Sequence, residues 1–229
     1  MLQVGRRLHV ATLRGFHGNV LPAGWAWATV EQLTSLVTSG SRGWSEFYSS
    51  EGVLFIRAQD IKTDTLAIHE VARVDVPSDA EGTRSSVDVG DVLVTITGAN
   101  VTKSARVSAL GERAFVSQHV ALLKFVMPEV SPFAFLWIVS PANGRKLLEK
   151  WAYGAGKPGL SLEQVRALPV ALPPLAEQHR IVAEVDRRLS IVREVEAEVD
   201  ANLKRAQALR QAVLAAAFRT PVRPLPLLA

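Results

Sequence analysis

Two hydrophobic regimes divide this chain. From about residue 28 to 172, short apolar runs alternate with polar, glycine-bearing breaks. VLFIRAQDI (53–61) reads as a buried strand ending in polar residues, and LAIHEVARVDV (66–76) as another strand or a loosely paired edge. DVGDVLVTITGANVTKSARVSAL predicts a strand, a turn near Gly98–Asn100 and a second strand, and FVSQHVALLKFV (115–126) a further single strand. SPFAFLWIVSPANGRKLLEKW is helical in pattern, with Pro141 placed to divide it in two. Thr29 and Gln32 fit a capping box, predicting a short helix with Leu33, Leu36 and Val37 on its buried side. Ser161 and Gln164 form a second box, opening a helix that Pro169 ends, and VALPP (170–174) is extended. TSGSRGWSEFYSSEG (38–52) is a Ser/Gly-rich loop. Strands and helices do not alternate in a βαβ rhythm, so the class is α+β: a mixed α/β head followed by one long C-terminal α-helix.

That helix is the second regime. Four prolines (Pro158, Pro169, Pro173, Pro174) crowd its approach, and no other follows until Pro221. Pro174 suits a first helical turn, and from Leu175 to Phe218 nothing breaks a helix. Such a rod is about 66 Å long. Every seventh residue from 185 is Val185, Val192, Val199, Ala206 and Val213. The companion series runs Val182, Leu189, Glu196, Leu203, Arg210, Ala217. This is a coiled-coil seam, clean on one side and broken on the other. Burying each Val or Leu contributes roughly 1.5–3 kcal/mol, so the seam wants a partner helix; the alternative is packing along its own domain. The expected organisation is a loose arm at 1–21, a globular domain at 22–174, the helix at 175–219 and a tail at 220–229.

Composition narrows the chemistry. The chain has 229 residues, 48% hydrophobic, with no cysteine. Disulfides, thiolate metal sites and cysteine nucleophiles are excluded, and a reducing cytoplasm is the simplest location. There is no apolar run long enough to span a membrane and no clear signal peptide. Net charge is only +4, shared between a mildly basic head and a mildly basic helix. A non-specific nucleic-acid binder carries a denser field, so if this protein binds DNA, a partner supplies much of the phosphate contact.

No catalytic, metal or cofactor motif emerges. GAGKP (154–158) fails as a phosphate loop, because Trp151 stands where a glycine is needed and Pro158 where a Ser or Thr is. His9, His17, His69, His119 and His179 are scattered without metal-ligand spacing. Neither GxSxG nor GxGxxG occurs.

LSLEQVRALPVALPPLAEQHRIVAEVD (160–186) resembles the junction in the DNA-specificity subunit of type I restriction-modification systems, where a target-recognition domain ends in a short helix, a Leu-Pro-Pro segment and then Glu-Gln opening a long helix. PAGWAWATVEQL, with Pro22, Gly24, Trp25 and Trp27, resembles that family's domain opening. IRAQDI, GDVLVTITGA, SQHVALLKF and LRQAVLAAAF resemble its later segments, in order, over roughly residues 20–219. Three departures stand out. Family members carry two recognition domains and two long helices, and this chain has one of each, so it resembles a half subunit. Thr102 stands where the central motif commonly has Gly. Thr220 replaces a usual Gly, and TPVRPLPLLA is unlike the family's tail.

The resemblance implies a non-catalytic subunit that recognises a bipartite DNA sequence, holds adenine-N6 methyltransferase subunits and is joined by a motor-nuclease subunit for cleavage. Each recognition domain would read one half-site while the helices set the spacer. Two copies pairing antiparallel through Val182, Val185, Leu189, Val192, Val199, Leu203, Ala206 and Val213 would form a closed two-fold dimer with a palindromic bipartite target. A different half subunit is the other possible mate.

Base readout needs side chains able to bridge two atoms on a base edge. Candidates are Arg57, Gln59, Asp60 and Lys62 after the first strand; Asn100, Thr102, Lys103 and Arg106 at the central turn; Gln118 and His119; and Ser41, Arg42 and Trp44 on the Ser/Gly loop. Each could instead be an ordinary surface residue, and Arg57 and Asp60 could simply pair with each other. Lys157 suits a phosphate better than a base. Trp25 and Trp27 read as core. The rival readings are a standalone coiled-coil-dimerised DNA-binding protein, a truncated non-functional fragment, and an enzyme with an unrecognised site.

Overall fold

A computed structural model describes residues 20–75, 84–153 and 158–219. The chain divides into two compact units at Val182/Ala183, so the first turns of the long helix belong to the head.

The head opens with β1 (Ala26–Thr29). Thr29 then caps α1 (Val30–Leu33) in the expected box, its side chain accepting from the Gln32 amide. The helix is one turn long, shorter than the apolar spacing suggests. Leu36 and Val37 lie instead in β2 (Thr34–Ser39). The reason is tertiary: Thr34, Val37 and Thr38 are β-branched and pair with β10 (Val120–Phe125), Thr38 opposite Leu122 and Val37 opposite Leu123. β10 also pairs with β7 (Val92–Thr95), which pairs with β8 (Ser104–Arg106), giving an antiparallel sheet of order β2-β10-β7-β8.

A second sheet holds β3 (Tyr48–Ser49), β4 (Val53–Ile56), β5 (Arg73–Val74), β6 (Ser86–Val87) and β9 (Ala114–Val116), in the order β3-β5-β4-β9-β6. The segment from 66 to 75 is thus mostly irregular, with a two-residue strand. FVSQHVALLKFV is two strands, not one. Val120 N donates to Ser117 O at 3.1 Å, and this corner carries the chain from β9 in one sheet to β10 in the other. The polar break Ser117–His119 is the corner itself; in a strand its three residues could still have alternated between faces, so only the pairing of each flanking strand with a different sheet separates them.

α2 (Ser131–Val139) and α3 (Gly144–Ala152) are divided around Pro141 as expected. They approach so closely that a Cβ on Gly144 would lie 2.7 Å from the Ile138 Cα. α4 (Leu162–Arg166) is capped by Ser161, and β11 (Pro169–Leu172) pairs antiparallel with β1. Strand alternation sorts the core: Val92, Val94, Ala121 and Leu123 pack with helix residues Phe133, Ile138, Leu148 and Val165. Leu93, Val120 and Leu122 face the other way, onto Leu54, Ile56 and Val116 of the second sheet. Trp25 packs edge-on against Phe133 and Trp27 against Trp137, so both belong to the head's packing.

The Glu-Gln junction has a plain mechanical role. Trp25 Nε1 donates to Glu177 Oε2 at 3.0 Å, and Gln178, only 3% exposed, donates Nε2 to the Pro173 carbonyl at 2.8 Å. Ile181 and Val182 pack on the core beside them, so Val182 serves the head rather than a free seam. Gln178→Ala leaves the Pro173 carbonyl without this donor and is expected to cost about 1–3 kcal/mol, read as a lowered urea midpoint of the full chain. An unchanged midpoint would remove Gln178 from the anchor.

α5 (Leu175–Arg219) is continuous over 45 residues. Beyond the head, Leu189, Val192, Val199, Leu203 and Val213 are 42–59% exposed. Hydrogen bonds from Arg187 and Arg188 hold the Glu184 carboxyl down at about 2. Because its folded value lies below the ordinary carboxylate value, this contribution is complete above about 4.5 and is lost as pH falls toward 2. A side-chain carboxyl NMR titration should show Glu184 titrating lowest among the helix glutamates; an ordinary value would mean the arginine pairing does not persist in solution.

Candidate nucleic-acid interface

The segments leaving β2, β4, β7 and β9 converge on one rim of the head. Parallel pairing of β4 with β9, Ile56 opposite Val116, sends both C-terminal ends the same way. Ser117 N then donates to Ile56 O at 2.9 Å, and Gly40 N to Ser117 O at 3.3 Å. Ile96 N donates to His119 O at 2.9 Å, Leu160 N to Ile96 O at 2.8 Å, and Thr97 bridges Gly159. Asn100 Nδ2 reaches Ala58 O at 3.0 Å, tying the central turn to the turn after β4. Four groups far apart in sequence (41–44, 57–62, 97–103 and 117–119) are therefore held together largely by backbone hydrogen bonds.

Gln118 and His119 occupy the corner between the two sheets, and both are exposed. Thr97 Oγ1 and His119 Nδ1 share a hydrogen bond, and Gln118 Nε2 lies 3.2 Å from His119 Nε2. This fixes the imidazole while leaving amide hydrogen-bonding capacity at the edge. Ser41, Trp44, Gln118 and His119 line one depression. Trp44 is its support and not a reader: it is 7% exposed, its ring 5.5 Å from Phe115 and 5.6 Å from Phe55.

The cluster after β4 is largely occupied with itself. Arg57 Nε lies 3.2 Å from Asp60 Oδ2, Arg57 Nη2 donates to the Glu70 carbonyl at 2.7 Å, and Asp60 is 3% exposed. With its oxygen turned inward, the Gln59 amide accepts from the same guanidinium at 3.0 and 3.1 Å. Arg57 and Asp60 thus form the local pair that sequence left open, and they shape the turn. Exposed Gln59 and Lys62 edge a second hollow with His69 and Glu70.

At the central turn, Lys103 Nζ donates to Asn100 Oδ1 at 2.8 Å, so Asn100 is spent on protein partners. Thr102 is 4% exposed with φ +74°, the conformation a glycine would adopt freely. The turn keeps its shape without glycine because Thr102 N donates to Thr95 O at 2.9 Å and Thr102 O accepts from Ser104 Oγ at 3.1 Å. The left-handed threonine costs about 1–2 kcal/mol, and its burial withdraws it from the rim. Arg106 is placed elsewhere, level with Val92 at the far end of β7 and donating to Ser131 Oγ at 3.2 Å. Lys157 lies outside the described residues.

Arg42 is exposed and lines a groove with Thr38, Ser41, Leu162 and two arginines that sequence reading missed, Arg84 and Arg166. Arg166 is set by a 2.6 Å bond from Nη2 to the Val37 carbonyl. No sequence signal marks them, since three isolated arginines meet here from separate segments, Arg166 through the packing of α4 on β2 and Arg84 from just before β6. The groups left to face a ligand are the Gln118 carboxamide, the amide nitrogen of Gln59, a fixed imidazole, a serine and several cations. Together they suit hydrogen bonding to base edges with phosphate contacts alongside. Among the described residues, no three His, Asp or Glu side chains gather into a metal-holding group, and no helix is long and apolar enough to cross a membrane.

Comparison with known proteins gives one consistent answer. Residues 45–203 match the type I restriction modification DNA specificity domain. The chain is 30% identical over 173 residues to the EcoBI type I restriction enzyme specificity subunit of Escherichia coli, covering 74% of this chain and 35% of that protein. It is 23% identical to the StySPI specificity subunit of Salmonella potsdam over 82% of this chain and 42% of that one. The chain therefore spans roughly two fifths or less of these relatives. Among solved structures, the HsdS subunit of Thermoanaerobacter tengcongensis superposes with a TM-score of 0.61 at 23% identity, over 92% of this chain and 54% of that one. A chain from a study of type I R-M complex assembly and conformational transition also gives 0.61, at 19% identity, over 96% of this chain and 54% of that one. These likenesses carry the fold: a mixed α+β head followed by a long helix.

Proposed function

Because the chain belongs to the type I restriction-modification DNA specificity family, we propose that its head reads one half of a bipartite DNA target through the rim of 41–42, 59–62 and 118–119, and that it docks the adenine-N6 methyltransferase and motor-nuclease subunits of such a system. The observation that carries this reading is the convergence of four polar segments on one edge, with Gln118 and His119 exposed at its centre. A rim of loop residues on a braced scaffold is where sequence readout can vary without disturbing the core. The modest net charge of +4 agrees with partners supplying much of the phosphate contact. The exposed stripe on α5 supports pairing with a second copy of this chain. Since helix rise per residue is constant, a paired rod would hold two heads at a set separation. The work belongs to the cytoplasm, where the DNA is.

The test is a methylation map. The chain is co-expressed with a type I methyltransferase subunit from the same source, in a host lacking other adenine methylation, and modified bases are sequenced. The expected result is a palindromic bipartite motif bearing N6-methyladenine. No motif from soluble, correctly expressed proteins would reject the active homodimer, leaving a different second half, a non-functional fragment or a standalone DNA-binding protein.

A further inference from the structure

The seam of α5 contains two charges, and their positions are informative. Glu196 and Arg210 interrupt an otherwise apolar series, each seven residues from Leu203. On a helix of 3.6 residues per turn, both fall within the face of Val192, Val199 and Leu203 rather than on its flank. Every residue from 191 to 219 is exposed in the single chain, and among the described residues neither charge has an ion-pair partner. They are 14 positions apart, about 21 Å along the helix, and cannot meet within one chain.

We infer that Glu196 and Arg210 are an orientation lock: in an antiparallel pair of two copies of α5 crossing near residues 201–203, Glu196 of each copy meets Arg210 of the other. The inference rests on the pairing proposed above, antiparallel as the family resemblance implies, and names the charges that set its register. A two-fold axis level with Leu203 brings Glu196 level with the partner copy's Arg210. An axis level with residue 201, which stacks Val199 on the other copy's Leu203 and Val185 on its Ala217, offsets the charges by four residues, about 6 Å. That is within the reach of an arginine side chain. A parallel in-register pair would instead set Glu196 against Glu196 and Arg210 against Arg210 inside an apolar seam, and buried like charges are strongly unfavourable. Polar residues at single seam positions characteristically select register and orientation at some cost in stability. Charge complementarity across a two-fold axis therefore points to a second copy as the occupant of this face.

The experiment is charge exchange on the full chain, read by sedimentation equilibrium. Glu196→Arg and Arg210→Glu are each expected to weaken self-association by on the order of 100-fold or more. The double variant, and an equimolar mixture of the two single variants, should recover it. Orientation is read separately. Because the chain has no cysteine, Val185→Cys and Ala217→Cys each introduce a unique thiol. A short bis-maleimide should link the two variants to each other and neither to itself. Self-linking of the Val185→Cys chain, or a double variant no better than the singles, would overturn the lock while leaving dimerisation standing. A wild-type chain that stays monomeric at high micromolar concentration would overturn the pairing itself.

Discussion

A Gly40→Ala chain is expected to lose about 3–5 kcal/mol of folding stability, a large part of what a domain of this size has. A Cβ at Gly40 would lie 1.9 Å from the Val116 carbonyl oxygen and 2.6 Å from the Ser117 carbonyl carbon. Both are backbone atoms of the corner between the two sheets, so no side chain can rotate away. Relief requires moving β2 from the corner, which breaks the bond from Gly40 N to Ser117 O and disturbs the neighbouring one from Ser117 N to Ile56 O. Overpacking alone costs about 1–3 kcal/mol, and a stranded buried backbone group adds about as much. Gly43 is the control: at φ +85° it has no atom within 4 Å of a built Cβ, so Gly43→Ala should cost only the left-handed penalty of about 1–2 kcal/mol. Urea unfolding of both variants decides the matter. Equal losses would mean the corner yields easily and that close approach is not what specifies glycine at position 40.

Gln118→Ala is expected to lower discrimination at one base pair of the target by about 1–3 kcal/mol, roughly 5- to 150-fold, with stability nearly unchanged. Gln118 is exposed, and the neighbour that shapes its position, His119, is itself held by Thr97. A glutamine can bridge the donor and acceptor on the major-groove edge of adenine, which a cation cannot do. Arg42→Ala provides the contrast. On the groove shared with Arg84 and Arg166, it should weaken binding to all sequences alike and reduce the slope of log affinity against log salt by about one. The assay is binding by the assembled complex across a set of single-base target variants at several salt concentrations. A Gln118→Ala complex with an unaltered preference at every position would move base readout off this corner.

Residue patterning alone was enough for much of this protein. Pro141 divides α2 from α3, the capping boxes at Thr29 and Ser161 open their helices, and the seam of α5 stands out, because each depends on neighbours within a turn or on a fixed period. The ordered motifs ending in Leu-Pro-Pro and Glu-Gln likewise carried the family resemblance. Sequence could not reveal which polar residues are free to act. Asp60, Asn100 and Thr102 look like surface readers in a list of loop residues, yet one is paired and buried, one is spent on Ala58 and Lys103, and one is folded inward. Trp44 was lost to the core for the same reason.

Tertiary structure alone decided the rim. The break of 115–126 into β9 and β10 depends on β9 finding β4 in one sheet while β10 finds β2 and β7 in another. Arg166 joins Arg42 because packing brings α4 against β2, and Arg84 reaches the same groove from the segment before β6. Local propensity and period are written into neighbouring residues, whereas strand pairing and side-chain satisfaction are set by partners tens of residues away. The rod and its seam were therefore legible from the chain, and the surface that the head presents was not.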